Sequence, residues 1–481
     1  MDFLPEKLYG KNISGIFSNY FKGDGLKIIL TNNIRLSEIP TQLYQMLTER
    51  LTISNPKWVE NERMGRWNRG TPRILRLYDR IRGGGLWIPR GFMRQLIFLC
   101  RQHGIEYEIT DKRRSLDPVD FTFTGSLKPF QLQAANVMLS KDFGTLSAPT
   151  GSGKTVMALY IIAHRMQPAL IIVHTKELAA QWIERIETFL GIPGEEVGII
   201  GSGKRKPGGK ITVALVQSIY KCVEEVSLNT GFLLVDECHR TPSRTFTEAV
   251  TGFDSKYMLG LSATPWRRDN LSKLIFWHLG DVRHEVEKAG LVETGDIVPA
   301  EIVVRDTDFS PFFDPVSEYS RMLSELTSND GRNHLIAADV ANEVKNGTGS
   351  CCLVLTDRKK HCETIRALLK FRHKIPSELL TGDVPDADRK EILDRLNNGE
   401  IKVLVATGQL VGEGFDCRNL STLFIATPIK FSGRVLQYLG RVLRPAPGKN
   451  KAVVYDYVDV KVDILKAAAA SRQKVYASWK E

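Results

Sequence analysis

Residues 143–173 read FGTLSAPTGSGKTVMALYIIAHRMQPALIIV. A short apolar run is followed by a glycine-containing loop, an amphipathic stretch of helical length and a second apolar run. Short β-branched runs that alternate with amphipathic helices are typical of parallel strands covered on both faces. The alternation continues to YMLGLSATP (257–265) and resumes after residue 300 with SCCLVLTDRKK, KVLVATGQL, TLFIATPI and KAVVYDYV. The sequence therefore predicts an α/β protein with two parallel-sheet domains.

The loop SAPTGSGKT (147–155) has the composition of a phosphate-binding loop. Glycine backbone can wrap a phosphate with its N–H groups, and the start of the following helix adds partial positive charge. We expect Lys154 to reach the β and γ phosphates of ATP and Thr155 to ligate Mg²⁺. The residues predicted to bind the nucleotide in this loop are Thr150, Gly151, Ser152, Gly153, Lys154 and Thr155.

A second stretch, GIIGSGK (198–204), partly matches the same pattern. Arg205 follows it where a hydroxyl would be needed for Mg²⁺, and Pro207 disfavours a helix there. We therefore predict a basic surface loop at 201–210 instead of a second nucleotide site.

An acidic pair follows the apolar run FLLV (232–235). Asp236 is expected to hold Mg²⁺, and Glu237 is expected to polarise the attacking water as a general base. The pair gains significance from its position downstream of the phosphate loop, because an isolated Asp-Glu after a strand has no specific meaning.

Residues 148–155, 236–239 and 262–264 resemble motifs I, II and III of superfamily 2 helicases. The DEXH form, with APTGSGKT and LSATPWR, is most similar to the XPB-like and phage UvsW-like branch. The resemblance extends in order from about residue 124 to about residue 460. Its further matches are KPFQ (128–131), VHTKELAAQW (173–182), ALVQS (214–218), CLVLTDRKKH (352–361), VATGQLVGEGFD (405–416) and QYLGRVLR (437–444).

The resemblance implies two tandem RecA-like domains that use ATP and Mg²⁺ to move on nucleic acid, with 3′ to 5′ polarity. Gln131 would read the adenine, and Gly414 and Asp416 would approach the nucleotide. Three further residues, His239, Ser262 and Thr264, would couple the nucleotide state to the grip on the strand, although His239 has a core-packed alternative. Contacts to the nucleic-acid backbone are implied for Thr175, Gln217 and Thr407.

Arg441 and Arg444 stand three residues apart on a predicted helix, so they face the same side. We expect them to act as arginine fingers, with Gln437 one turn earlier helping to set the geometry. In related NTPases such fingers contribute about 10³–10⁵ in rate. Taken alone, an arginine such as Arg441 is more often part of a surface salt bridge, and its place after motifs I to III is what favours the functional role.

Net charge is +11, and between Lys57 and Arg114 basic residues outnumber acidic ones by fourteen to six. We expect a basic N-terminal α+β domain that recognises DNA, with its tryptophans (Trp58, Trp67 and Trp87) in the core. The alternative is an ordinary basic domain with no such role. The arginines expected on nucleic acid are Arg66, Arg69, Arg73, Arg90 and Arg94.

The predicted domains are 1–115 (DNA recognition), 116–300 and 301–481 (RecA-like), with the connection between the last two in the aperiodic stretch 268–300. The seven cysteines form no CxxC pair, which favours buried thiols over zinc. No apolar run of membrane-spanning length and no signal peptide are evident, so we expect no membrane partner and a bacterial, archaeal or phage-infected cytoplasm.

The partner expected from these observations is nucleic acid, DNA in preference to RNA, including forked or branched DNA in repair or recombination. Two other motors remain open: an RNA helicase, and a duplex-DNA translocase of a restriction or defence system with its nuclease in trans. A repair protein acting in trans is likewise compatible. A nucleotide-gated binding switch is disfavoured, because it would need neither Glu237 nor the two arginines.

Overall fold

The computed structural model describes residues 25–240, 244–263, 272–346, 351–408, 417, 419–429, 432–446 and 448–477. Predicted site residues Thr264, Gly414 and Asp416 lie outside these ranges, and so does the side chain of Gln437. The chain divides into two compact units. One holds the described residues up to Ser147 together with Thr155–Glu285, and the other holds Ala148–Lys154 together with the described residues from Val286 onward.

The N-terminal part of the first unit is a small α+β fold. Its strands are β1 (Leu26–Leu30), β2 (Asn33–Ser37), β3 (Thr52–Ser54), β4 (Ile74–Arg76), β5 (Asp79–Ile81), β6 (Gly85–Pro89) and β7 (Tyr107–Asp111). Its helices are α1 (Thr41–Arg50), α2 (Pro56–Arg63) and α3 (Met93–Gln102). Five strands form a sheet in the order β5-β6-β2-β1-β7, while β3 and β4 pair separately. Alternation along β1 buries Leu26, Ile28 and Leu30 on one face, as the period of a half-buried strand requires.

This N-terminal sheet is docked on the parallel sheet that follows. Apolar residues of both parts form one continuous core cluster. A Cβ added to Gly91 would lie 2.1 Å from the carbonyl oxygen of Phe276, so only glycine permits this backbone contact. The Asn32 amide donates to the carbonyl of Thr251 at 2.6 Å. The sequence separates these parts near residue 115, whereas the contacts keep them in one unit.

The larger sheet of the first unit has eight strands in the order β11-β10-β12-β9-β13-β14-β8-β15, all parallel except the edge strand β11. They are β8 (Phe143–Ser147), β9 (Ala169–Val173), β10 (Gly198–Gly201), β11 (Lys204–Lys206), β12 (Ile211–Leu215), β13 (Phe232–Val235), β14 (Tyr257–Ser262) and β15 (Val282–Glu285). The helices are α4 (Pro129–Leu139), α5 (Lys154–Arg165), α6 (Lys176–Leu190), α7 (Val216–Ile219), α8 (Val223–Ser227), α9 (Arg244–Thr251) and α10 (Ser272–Leu279).

Every residue of β8, β9 and β13 is buried, which explains the uninterrupted apolar sequences of β9 and β13, while β8 also buries Thr145 and Ser147. The stretch 268–300, where the sequence places only a connection, contains α10 and β15 of the first unit. Strand β15 pairs in parallel with β8 and forms an edge of that sheet. Its sequence VRHE carries no apolar alternation, so periodicity could not detect it.

The second unit contains a six-stranded parallel sheet in the order β16-β21-β20-β17-β19-β18. Its strands are β16 (Ala300–Thr307), β17 (Cys351–Thr356), β18 (Glu378–Leu380), β19 (Val403–Thr407), β20 (Leu420–Ile425) and β21 (Ala452–Asp459). Its helices are α11 (Lys288–Glu293), α12 (Tyr319–Ser328), α13 (Asp330–Asn346), α14 (Lys359–Ala367), α15 (Asp386–Asn397), α16 (Ser432–Val442) and α17 (Asp463–Ala477).

Two buried ion pairs fasten helices to this second sheet. Arg332 of α13 reaches Asp459 at 2.8 Å, with both side chains fully buried, and Arg472 of α17 reaches Asp456 at 2.8 Å. Removing one partner from such a pair costs about 3–5 kcal/mol, because the other charge stays buried. The α/β prediction with two parallel sheets and an N-terminal α+β part is confirmed. Within the described ranges, no helix combines the length and apolarity that a bilayer crossing needs.

Candidate nucleotide and nucleic-acid site

The phosphate loop has the backbone that its glycines predict. Gly151 and Gly153 adopt φ values of +91° and +83°, which favour glycine because residues with a Cβ are strained there. Lys154 begins α5, and its ammonium donates to the carbonyls of Ala148 at 3.0 Å and Pro149 at 3.3 Å. The Thr150 hydroxyl is buried with no hydrogen-bond partner among the described residues. A folded-in ammonium and a buried orphan hydroxyl fit a loop built to receive phosphate oxygens.

The second unit, which includes the loop segment 148–154, also places that segment against α16. A Cβ on Gly440 would lie 2.3 Å from the Cβ of Thr150, so a glycine is needed where helix and loop meet. A Cβ on Gly151 would lie 3.4 Å from Cγ of Arg444. Arg441 lies on the same helix and is partly buried. The described contacts therefore bring the Arg444 stem to the loop.

The acidic pair follows β13 at the carboxyl end of the first parallel sheet. Asp236 is buried, and its Oδ1 accepts a hydrogen bond from the backbone N–H of Glu237 at 2.9 Å. Its other oxygen, Oδ2, accepts from the indole Nε1 of Trp182 at 2.9 Å. The sequence reasoning missed Trp182, although the QW pair at the end of VHTKELAAQW offered a signal.

Glu237 has a φ of +47°, in the left-handed region that non-glycine residues rarely adopt. Such strain costs about 1–3 kcal/mol and persists at sites where the surrounding structure imposes it. The strained residue directly follows the buried strand β13, at the position predicted for the general base.

His239 lies between the acidic pair and the end of β14. Its Nδ1 is 3.0 Å from Oγ of Ser262 and 3.3 Å from Oε2 of Glu237. The structure thus brings together three residues that the sequence predicted as base and coupling groups. Two of the contacts that His239 makes are thus to polar residues predicted for the site.

Gln131 is buried at the first turn of α4, and its Oε1 accepts from the backbone N–H of Lys128 at 2.9 Å. This bond caps the helix and fixes the orientation of the side-chain amide. The adenine role is a separate prediction that this contact does not test.

Two predicted nucleic-acid contacts follow adjacent parallel strands. Thr175, after β9, caps α6 by accepting from the N–H of Leu178 at 3.3 Å. Gln217, after β12, is exposed and donates to the carbonyl of His174 at 3.1 Å. Because β9 and β12 pair in parallel, both residues lie at one edge of the sheet. In the second unit Thr407 ends β19, and the next carbonyl, of Gly408, accepts from the hydroxyl of Tyr438 at 2.6 Å.

The N-terminal arginines separate into two groups. Arg66, Arg69 and Arg73 are exposed, and the Arg94 side chain is 53% exposed. Arg90 is only 1% exposed and donates to the carbonyl of Ser255 at 2.8 Å, and its burial lowers the pKa of its guanidinium to about 9. The prediction that Arg90 contacts nucleic acid is therefore wrong. Its position in the sequence could not show that it is buried between the two sheets of the first unit.

The prediction that the N-terminal tryptophans are core residues is also wrong for Trp67, which is 82% exposed. The guanidinium of Arg69 lies 5.8 Å from its ring centroid, and that of Arg73 lies 5.3 Å from the ring of the half-buried Trp58. Exposed arginines and an exposed indole thus share the segment between β3 and β4.

The basic stretch at 201–210 is exposed over Lys204, Arg205 and Lys206, and β10 and β11 form an antiparallel hairpin there. No helix follows the hairpin directly, since β12 begins at Ile211. The predicted surface position is confirmed, with a hairpin in place of an irregular loop.

Comparison with known proteins agrees with these motifs. Residues 124–267 match the family model "Type III restriction enzyme, res subunit", and residues 335–446 match "Helicase conserved C-terminal domain".

Three curated relatives illustrate the range. A putative ATP-dependent RNA helicase L396 of Acanthamoeba polyphaga mimivirus is 26% identical, covering 75% of this chain and 69% of the relative. The DNA 3′-5′ translocase XPB2 of Sulfurisphaera tokodaii is 26% identical, covering 72% of this chain and 85% of the relative. The probable helicase D10 of Escherichia phage T5 is 28% identical, covering 82% and 84%. The chain therefore belongs to the superfamily 2 helicases, as an ATP-dependent helicase with relatives among the XPB-type and phage proteins.

Proposed function

We propose that this helicase is a DNA motor that couples ATP hydrolysis to movement on DNA and to remodelling of forked or branched DNA. The observation that carries the motor chemistry is the cluster of Glu237, His239 and Ser262 beside Asp236. The choice of DNA is supported by the printed name of the archaeal XPB2 relative and by the exposed arginines and Trp67 of the N-terminal part.

In the hydrolysis step, Lys154 leaves the loop carbonyls and binds the β and γ phosphates. Glu237 takes the proton of the attacking water as the water oxygen bonds to the γ phosphorus, and the bond from that phosphorus to the β–γ bridging oxygen breaks to release ADP. Mg²⁺, held by Thr155 and Asp236, would neutralise charge on the phosphate oxygens. Loop residues Thr150, Gly151, Ser152 and Gly153 cradle the phosphates with their N–H groups and hydroxyls.

The second RecA-like domain supplies the remaining groups in this proposal. Arg441 and Arg444 stabilise the transition-state charge and Gln437 sets their geometry, while Gly414 and Asp416 approach the nucleotide. Gln131 of the first domain reads the adenine edge.

Coupling is proposed to pass through His239. When the γ phosphate departs, Glu237 no longer faces the attacking water. His239 then changes its position between Glu237 and Ser262, and Thr264 moves in response. Strand contacts by Thr175 and Gln217 at one sheet edge, and by Thr407 of the second unit, would then alternate in strength and move the strand.

The N-terminal part would recognise DNA structure. Arg66, Arg69, Arg73 and Arg94 supply phosphate contacts, and the exposed Trp67 ring can stack on an unpaired base. Because this part shares a core with the first parallel sheet, the recognition surface belongs to the same compact unit as the first RecA-like domain.

A second candidate is a duplex-DNA translocase that acts with a nuclease in trans, which the name of the matched restriction-subunit model favours. RNA as substrate is the third, on the printed name of the mimivirus relative.

The test is steady-state ATPase activity at one fixed salt concentration, without nucleic acid and with single-stranded DNA, linear duplex, fork, four-way junction or RNA. Stronger stimulation by forks or junctions than by linear duplex supports the proposal. Equal stimulation by linear duplex favours the translocase, and stimulation by RNA alone refutes the DNA assignment. Lys154→Ala serves as the control that must remove ATPase activity while DNA binding persists.

A further inference from the structure

A buried hydrogen bond joins helix α6 to the acidic pair. Trp182 is 2% exposed, and its Nε1 donates to Oδ2 of Asp236 at 2.9 Å. The opposite oxygen, Oδ1, accepts from the N–H of Glu237. An indole N–H is only a donor, and its bond to Oδ2 fixes the rotation of the carboxylate group. The remaining lone pairs of Asp236 are thereby oriented.

Helix α6 starts at the carboxyl edge of the first parallel sheet, beside the predicted nucleic-acid contacts Thr175 and Gln217. Thr175 caps α6, and Trp182 lies seven residues later, which is about two turns or ~10 Å along the helix. A rigid helix that shifts when Thr175 contacts a phosphate carries the indole with it. A shift of α6 on binding of a nucleic-acid strand would therefore reach the Asp236 carboxylate through the helix, with no loop between them.

We propose that Trp182 is a positioning residue that orients Asp236 toward Mg²⁺ and transmits strand binding at the start of α6 to the ATPase centre. This inference rests on the proposed function. A phenylalanine would fill most of the same apolar volume, so the indole N–H supplies what packing alone does not require. Outer partners of metal ligands typically contribute 10–100-fold in metal affinity or activity.

The test compares Trp182→Phe with Trp277→Phe. Trp277 is a matched control, since it is buried in the same unit and its ring packs edge-on against Phe92 at 6.0 Å. Two readouts are used: the Mg²⁺ concentration for half-maximal binding of a fluorescent ADP analogue, without turnover, and kcat and KM with and without single-stranded DNA.

For Trp182→Phe we expect a Mg²⁺ requirement raised about tenfold, a DNA-stimulated kcat lowered more than the basal kcat, and little change in KM for ATP. Trp277→Phe should lower only the melting temperature. If Trp182→Phe fails to fold, incorporation of 3-benzothienylalanine at 182, which replaces the N–H by sulfur in the same ring shape, gives the same comparison.

An unchanged Mg²⁺ requirement overturns the positioning role. Equal losses of basal and stimulated rate overturn the link to strand binding. A wild-type protein that DNA does not stimulate at all contradicts the proposed function instead, so the two failures are distinguishable.

Discussion

The left-handed backbone of Glu237 allows a test in which stability and activity are expected to separate. Its φ of +47° makes a Cβ unfavourable at this position. At an ordinary helical position alanine is more stable than glycine by about 0.5–1 kcal/mol, because glycine loses more freedom on folding. A left-handed residue with a Cβ costs about 1–2 kcal/mol. Subtracting the first figure from the second leaves Glu237→Gly more stable than Glu237→Ala by roughly 1 kcal/mol.

The assay is thermal unfolding of both variants, with Glu237→Gln as the isosteric reference. A difference of this size raises the melting temperature by about 2–4 °C in a domain of 150–250 residues. All three variants lack the base, so ATPase rates should fall by about 10²–10⁴. Alanine proving more stable than glycine would refute the strain argument. A wild-type rate in Glu237→Gln would refute the general-base assignment.

Three further predictions concern the other parts of the site and the fold. Arg441→Ala should lower kcat by about 10³-fold or more, while the affinity for an ADP analogue stays within a fewfold of the wild-type value. A weaker affinity for the analogue at unchanged kcat would contradict the arginine-finger role. Trp67→Ala should weaken binding of single-stranded or forked DNA by about 1–3 kcal/mol, or about 5–150-fold, in fluorescence anisotropy with no change of melting temperature. Lys27→Ala, on strand β1 outside the segment that holds Trp67, is a control that removes a positive charge. Burial lowers the pKa of His278 to about 4 and that of His361 to about 3. Because these histidines bind protons in the unfolded chain below a pKa of about 6.5, the free energy of unfolding should fall by about 2 kcal/mol per histidine between pH 7 and pH 5. A denaturant midpoint that rises with acidification would contradict this prediction.

Much of the fold could be read from the sequence because parallel sheets covered on both faces require unbroken apolar strands. The unbroken apolar runs ALIIV and FLLV are the fully buried strands β9 and β13. The glycines of the phosphate loop could also be predicted, because Gly151 and Gly153 adopt positive φ values that residues with a Cβ disfavour. Strand β15 escaped notice because the edge strand VRHE has no apolar pattern.

Exposure could not be read from the sequence. Arg90 and Trp67 stand in the same basic stretch, yet the arginine is buried and the tryptophan is exposed. Which of them faces solvent depends on how the N-terminal sheet docks on the parallel sheet, through contacts such as that of Arg90 with Ser255, 165 residues away.

The sequence by itself therefore determined the α/β class, the phosphate loop and the order of the motifs, because each follows from local periodicity or from residue types at fixed spacing. Only the tertiary structure decided that Trp182 lies on Asp236 and that His239 lies between Glu237 and Ser262. Trp182 is 54 residues from Asp236 and His239 is 23 residues from Ser262. Parallel pairing of β13 with β9 and with β14 brings the carboxyl ends of these strands to one edge of the sheet, where side chains from separate motifs meet.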